Sequence, residues 1–260
     1  MRITVFTGDQ PRHFSLVNML ELAGFEVFCV SEETQSFEQL SNSDNEVIAN
    51  YFSLVSESER QIFPDGKTLS ENASVIDMGR GGLSDYDFRH HRPFLESDFF
   101  CVFGSSYIKE PLLSFLLEKR AINLHAGISP YYRGSACNFW ALYDDNPHLV
   151  GATIHLLARK IDGGDILMHA LPSMPTRVAK LDLGMIGVRA GQEGLSHLLR
   201  NVGGIADLVG EEQDDDRLIR YSRLADFNQQ VVEKFMSEDL GCYKSFDYPP
   251  MVHPFFLELP

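Results

Sequence analysis

Basic residues are scarce in this chain. Its 260 residues hold 22 Lys and Arg against 37 Asp and Glu, a formal net charge of −15. A general nucleic-acid binder needs clustered cations to displace counterions, so the composition argues against that class. A small anionic ligand remains compatible, because the local field of a pocket can oppose the net charge. Cysteine is sparse as well. Cys29, Cys101, Cys137 and Cys242 form no CxxC pair, and the first two lie inside apolar runs, where a reduced thiol behaves as a small hydrophobe. No disulfide framework is expected, and a reducing, cytoplasmic setting is. No apolar run approaches the roughly 18 residues of a membrane span, and Ile3 to Phe6 is too short for a signal-peptide core. There is no internal repeat, no low-complexity linker and no GxGxxG after the first apolar run, so a dinucleotide site is not predicted.

What is present is enough apolar material, 44% of residues, for a packed core. Ile3–Phe6, a helix over 14–23 closed by Gly24, and Glu26–Val30 make a β-α-β start, which favours an open doubly wound sheet. Residues 31–45 are polar and read as a loop or a loosely attached helix start. Val47 to Phe63 has helical spacing and is closed by Pro64-Asp65-Gly66. Strands are predicted over 73–78, 98–104, 121–124, 152–157 and 166–171, and a loop over 79–92. Helices are predicted over 111–117, 136–143, 183–202 and 227–235, with a short strand near 218–221. The fold class is therefore α/β, an open and mostly parallel sheet. A main unit over 1–205 is followed by a C-terminal extension over 206–260 that either covers core or makes a homodimer contact.

The chemistry concentrates in residues 119–167. Asn123 and His125 are two apart at a strand end, so both side chains face one side of the sheet, at the carboxyl edge where such sheets bind ligands. Asp162 lies in a Gly-rich turn, Lys160-Ile161-Asp162-Gly163-Gly164-Asp165, where the backbone can approach a ligand closely. A carboxylate beside His125 would orient the ring and raise its proton affinity; Asp165 competes for that role. Between them, Tyr131-Tyr132-Arg133-Gly134 offers a cleft wall, with Arg133 able to meet a phosphate or carboxylate. His90-His91, His155 and His169 form no metal-ligand spacing, and no metal is expected.

Taken together these segments resemble a family. Asn123 through Gly134 (NLHAGISPYYRG) resembles the N-x-H-x-S-x-L-P-x-x-R/K-G signature of formyltransferases that use N10-formyltetrahydrofolate. Gly151–Leu156 through Ile161–Ile166 resembles that family's second block, which ends in D-x-G. The likeness is sharpest over 98–170, and the departures are Gly127 and Ser129, where many relatives have Ser and Leu. The resemblance implies a Rossmann-like core, the co-substrate N10-formyltetrahydrofolate, and a catalytic trio of Asn123, His125 and Asp162. In that reading the Asn123 amide and a protonated His125 donate to the formyl oxygen, and His125, or Asp162 through a water, takes the amine proton. It implies a folate pocket formed by Ser105, Ser106, Tyr107 and Ile108 on one side and by Arg159, Lys160, Ile161 and Gly163 on the other.

The acceptor amine is read by exclusion. A tRNA acceptor conflicts with the acidic charge and the short tail, and Thr7–His13 lacks the Gly/Ser-rich phosphate loop of the glycinamide ribonucleotide enzymes. The remaining branch formylates nucleotide-linked 4-amino-4,6-dideoxy sugars, dTDP- or GDP-linked, for surface polysaccharide. Within it Arg12, His13 and Arg80 are expected at the pyrophosphate, and Tyr132, Arg133 and Trp140 at the base or sugar. The alternatives are another amine, or a non-catalytic folate-binding module of the same fold.

Overall fold

Strict alternation decides how the central strands are built into the molecule. Residues are described for 1–84, 92–172, 177–238, 241–244 and 256–258 of the computed structural model. In chain order the elements are β1 (Arg2–Gly8), α1 (Pro11–Leu22), β2 (Glu26–Glu32), α2 (Phe37–Leu40), α3 (Glu46–Ile62), β3 (Ser74–Met78) and α4 (Arg92–Leu95). Then follow β4 (Phe99–Phe103), α5 (Leu112–Glu118), β5 (Ile122–His125), β6 (Tyr132–Gly134), α6 (Cys137–Tyr143), β7 (Ala152–Leu156) and β8 (Ile166–Leu171). The chain ends with β9 (Arg177–Ala179), α7 (Lys180–Arg200), β10 (Arg220–Ser222), α8 (Gln229–Ser237), β11 (Cys242–Lys244) and β12 (Phe256–Glu258).

Ile3, Val5, Val27, Cys29, Phe99, Cys101 and Phe103 pack on one face of the sheet, against Leu16, Val17 and Leu20 of α1 and Val188, Leu195 and Leu199 of α7. Their alternates Phe6, Phe28, Val30, Phe100 and Val102 pack on the other face, against Leu112 and Leu116 of α5. Both faces are covered, which is why these strands read as continuous apolar runs. α7 lies so close to the sheet that a Cβ on Gly191 would stand 2.4 Å from the Ala152 Cβ.

The main sheet has eight strands in the order β12-β8-β7-β5-β4-β1-β2-β3. All pairings are parallel except those of β7, which runs antiparallel between β5 and β8. The chain winds outward from β1 in both directions, so β1 and β4 flank the switch point. Their carboxyl ends open the crevice where open α/β sheets take ligands.

The polar 31–45 stretch is less open than its composition implies: β2 runs on to a buried Glu32, and Ser36 caps the short α2. Asn45 caps α3, accepting from the Val47 and Ile48 amides at 3.0 and 2.9 Å. Residues 85–91, including His90 and His91, and most of the segment 245–260 lie outside the described residues. The extension from 206 shares the main core. Val232 and Phe235 of α8 pack with Tyr51, Phe52, Phe139 and Trp140. β10 pairs with β6 in parallel. Among the described residues no helix is long and apolar enough to cross a membrane.

Candidate active site

β5 delivers Asn123 and His125 on one side of the sheet, and the loop after β7 brings Asp162 to meet them. Asp162 sits at φ 51, in the left-handed region that Asp tolerates better than most residues. Its Oδ1 stands 3.3 Å from His125 Nδ1 and accepts from Asn123 Nδ2 at 3.3 Å. Its Oδ2 accepts the Gly134 N–H at 2.8 Å. Asp165, the competing carboxylate, is exposed and makes none of these contacts. The amide and imidazole proposed from spacing thus both reach the carboxylate.

A second histidine completes the cluster. Antiparallel register places His155 directly opposite Asn123. His155 Nδ1 faces the Leu156 carbonyl at 2.8 Å, so that nitrogen carries the proton. Its Nε2 is then the acceptor for Asn123 Nδ2 at 3.0 Å. His155 therefore fixes which way the amide points and leaves the longer Asn123–Asp162 bond as the one open to exchange. The sequence carried the signal only through the β5–β7 register, which a single strand does not reveal.

Electrostatics divide the trio's roles. Burial pulls the Asp162 carboxyl upward, but the histidines beside it and the Gly134 N–H outweigh that and hold it well below the usual carboxylate range. Burial pushes His125 below its ordinary value, with Asp162 pulling partly back. The resting site at neutral pH is an ionised Asp162 beside a neutral His125, which suits proton acceptance. The protonated His125 expected from the sequence is disfavoured, because the ring is buried. Its Nε2 lies 3.2 Å from the Tyr132 carbonyl.

The departures at 127 and 129 are accommodated locally. A Cβ on Gly127 would meet the Cys137 Cβ at 2.4 Å and His125 Nε2 at 2.7 Å, so glycine makes room for the His125 ring. Thr153 Oγ1 donates to the Gly127 carbonyl at 2.7 Å and accepts from the Ser129 amide at 2.8 Å. The loop is thereby pinned to β7.

The trio opens on a cavity of about 890 Å³. One side is lined by Val102 to Ile108, which includes the expected Ser105, Ser106, Tyr107 and Ile108, and by Leu157, Ala158, Arg159 and Ile161. Buried Glu32 anchors this side, its carboxylate accepting from the Ser106 amide at 2.9 Å and hydroxyl at 3.0 Å. Lys160 and Gly163 are neighbours of the cavity and not part of its lining; Lys160 pairs with Asp215.

The side chains expected at the acceptor are mostly structural. Arg133 is 2% exposed and donates to Gln213 and Asp215, each at 2.8 Å. Tyr132 is buried with its hydroxyl between Asp144 and Asn146. Trp140 is core, with the Arg220 guanidinium 4.4 Å above its ring. His13 lines the cavity, but its ring is wedged between Gly8 and Gly104, and burial lowers its pKa well below the ordinary value. Arg12 reaches the cavity while paired with buried Glu59. Arg80 is exposed after β3 and does not line the cavity. For Arg133, Tyr132, Trp140 and His13 the residue type was legible and burial was not; for Arg80 it was position that the sequence did not give.

An unexpected contributor is Gln213, from the C-terminal extension. Its amide donates to the Asp162 and Gly164 carbonyls at 2.9 and 2.7 Å while its carbonyl accepts from Arg133. The extension clamps the loop that carries Asp162.

An open α/β sheet with this trio beside its switch point has the fold of the formyltransferases. No family model matches the sequence. Solved structures share the fold. A sugar N-formyltransferase from Shewanella sp. is 16% identical with TM-score 0.55, over 97% of this chain and 99% of that chain. A phosphoribosylglycinamide formyltransferase from Anaplasma phagocytophilum is 15% identical with TM-score 0.53, over 86% and 98%. An N-formyltransferase from Helicobacter canadensis, solved with folinic acid and dTDP-3-aminofucose, is 13% identical with TM-score 0.52, over 88% and 73%. At these identities the likeness is one of fold.

Proposed function

We propose that this chain is an N-formyltransferase that moves a formyl group from N10-formyltetrahydrofolate to the amino group of a nucleotide-linked 4-amino-4,6-dideoxy sugar, in the cytoplasm, for surface polysaccharide. The observation that carries the reaction is the contact cluster of Asn123, His125 and Asp162 at the edge of a large cavity. The amine nitrogen attacks the formyl carbon, and charge gathers on the formyl oxygen. An Asn123 N–H exchanges its long bond to Asp162 for that oxygen; such a donor is worth about 3 kcal/mol. Neutral His125 accepts the amine proton while Asp162 stabilises the imidazolium formed. Collapse breaks the bond from the formyl carbon to N10, and the proton passes to N10. The products are tetrahydrofolate and the formamide.

The residues 104–108 and 157–161 fit the folate side, being loop backbone at the carboxyl ends of β4 and β7. The sugar-nucleotide acceptor is supported by acidic net charge, which opposes tRNA, and by fold neighbours that include sugar N-formyltransferases. The test presents purified protein and N10-formyltetrahydrofolate with dTDP- and GDP-linked 4-amino-4,6-dideoxy sugars, glycinamide ribonucleotide and methionyl-tRNA, reading formyl gain by mass spectrometry. Formylation of a nucleotide-linked sugar is expected. Formylation of only another amine overturns the acceptor, and folate turnover on none of them overturns the enzyme reading.

A further inference from the structure

Among the described residues three cations line the cavity, Arg12, Arg159 and Arg223. Two are already committed. Arg12 pairs with Glu59 and lies over the Phe37 ring, and Arg159 pairs with Glu110 at 2.8 Å. Arg223 is exposed, and among the described residues no carboxylate stands within ion-pair distance of its guanidinium; its backbone N–H donates to Asp226, whose own backbone amide faces the Arg223 side chain.

Register fixes where Arg223 stands. β10 runs beside β6 with Ser222 opposite Gly134, the residue whose N–H holds Asp162. The Ser135 N–H closes the pairing on the Ser222 carbonyl at 2.9 Å. Arg223 is the next residue, so it emerges at the cavity wall one position beyond the strand pair that holds the catalytic carboxylate. The approach depends on glycine at 134: φ is +95, and a Cβ there would stand 1.9 Å from the Ser222 carbonyl oxygen.

The wall beside it is aromatic. Phe227 and Phe139 meet edge to face at 4.7 Å, with Tyr51 and Phe52 behind them. Sugar hydroxyls leaving water need replacement hydrogen bonds, and phenylalanine supplies none. Such a wall suits a deoxygenated sugar or a planar base, and a guanidinium at its edge suits a phosphate.

We infer that Arg223 is the residue that recognises a phosphate of the acceptor, whose deoxygenated body lies along the aromatic wall formed by α3, α6 and Phe227. This deepens the formyltransferase reading and rests on it for the acceptor's amine. The probe is dTDP alone, titrated calorimetrically against wild type, Arg223→Gln and Arg223→Lys, with folinic acid binding measured on the same samples. Thermal melts confirm that this exposed substitution leaves the fold intact. The expected result is dTDP affinity reduced about tenfold or more in Arg223→Gln and partly recovered in Arg223→Lys. With dTDP-4-amino-4,6-dideoxyglucose as acceptor, its KM rises by a similar factor while the folate KM stays within about twofold. Equal dTDP affinity in wild type and Arg223→Gln overturns the assignment, as does a wild type that binds none of dTDP, UDP and GDP. In either case folinic acid binding separates the outcomes: retained, only the Arg223 assignment falls; absent, the formyltransferase reading falls with it.

Discussion

His125 stands between two oxygen acceptors, Asp162 Oδ1 and the Tyr132 carbonyl, yet burial keeps its proton affinity low. The acid limb of kcat/KM is therefore expected below the ordinary histidine value of about 6.5. Asp162 raises the His125 pKa, so Asp162→Asn moves that limb to still lower pH while reducing kcat. A pH–rate profile of the two proteins checks both signs, and an unmoved limb would break the coupling. Asparagine also tolerates the left-handed backbone at 162, so the variant isolates the charge from the conformation. His125→Ala is expected to lower kcat about 10²- to 10⁴-fold and Asn123→Ala about 10²- to 10³-fold, read by single-turnover kinetics. Arg133 behaves oppositely. Arg133→Ala removes a buried side chain that holds Gln213, and is expected to cost about 2–4 kcal/mol of stability, seen as a lower denaturation midpoint.

At the scale of elements, the site is a joint between β5, β7 and the C-terminal extension. Gln213 bonds two carbonyls of the Asp162 loop, so Gln213→Ala frees the loop without touching the reacting groups. The expected result is a kcat loss of up to about a hundredfold with a small change in folate KM, since a shift of about 1 Å in a catalytic group is costly. A wild-type kcat in Gln213→Ala removes the clamp from the account. Much of this architecture was legible: the continuous apolar runs of β1, β2 and β4 mark a sheet covered on both faces, and Asn123, His125 and Asp162 lie within one stretch with recognisable spacing. The rest required non-local pairing. Nothing in residues 211–223 announces that they pair with Ile166 and with β6, and nothing local distinguishes a buried Trp140 or Arg133 from one facing a ligand. His155 was passed over because its partner lies across a strand pair, not along the chain.

At the scale of the whole molecule, acid should loosen the fold in two windows. His13 and His125 have folded pKa values lowered, by burial first in each case. Their contribution is complete above about pH 6.5 and is lost as pH falls below it, because the unfolded chain then takes up protons the folded chain refuses. Each adds a slope of up to about 1.4 kcal/mol per pH unit. Asp162, depressed, adds stability above its unfolded value of about 3.9 that is lost below it. Relief of acidic self-repulsion from the net charge of −15 acts in the opposite direction. Comparing Tm against pH for wild type and His13→Gln isolates the histidine part, and identical slopes would contradict it. The central claim is that the trio transfers a formyl group to an amine. It is met most directly by following formyl gain on dTDP-4-amino-4,6-dideoxyglucose from N10-formyltetrahydrofolate, with wild type and His125→Ala side by side. The account predicts a formamide product with wild type and almost none with His125→Ala. Equal product from the two proteins, with folate bound by both, would contradict it.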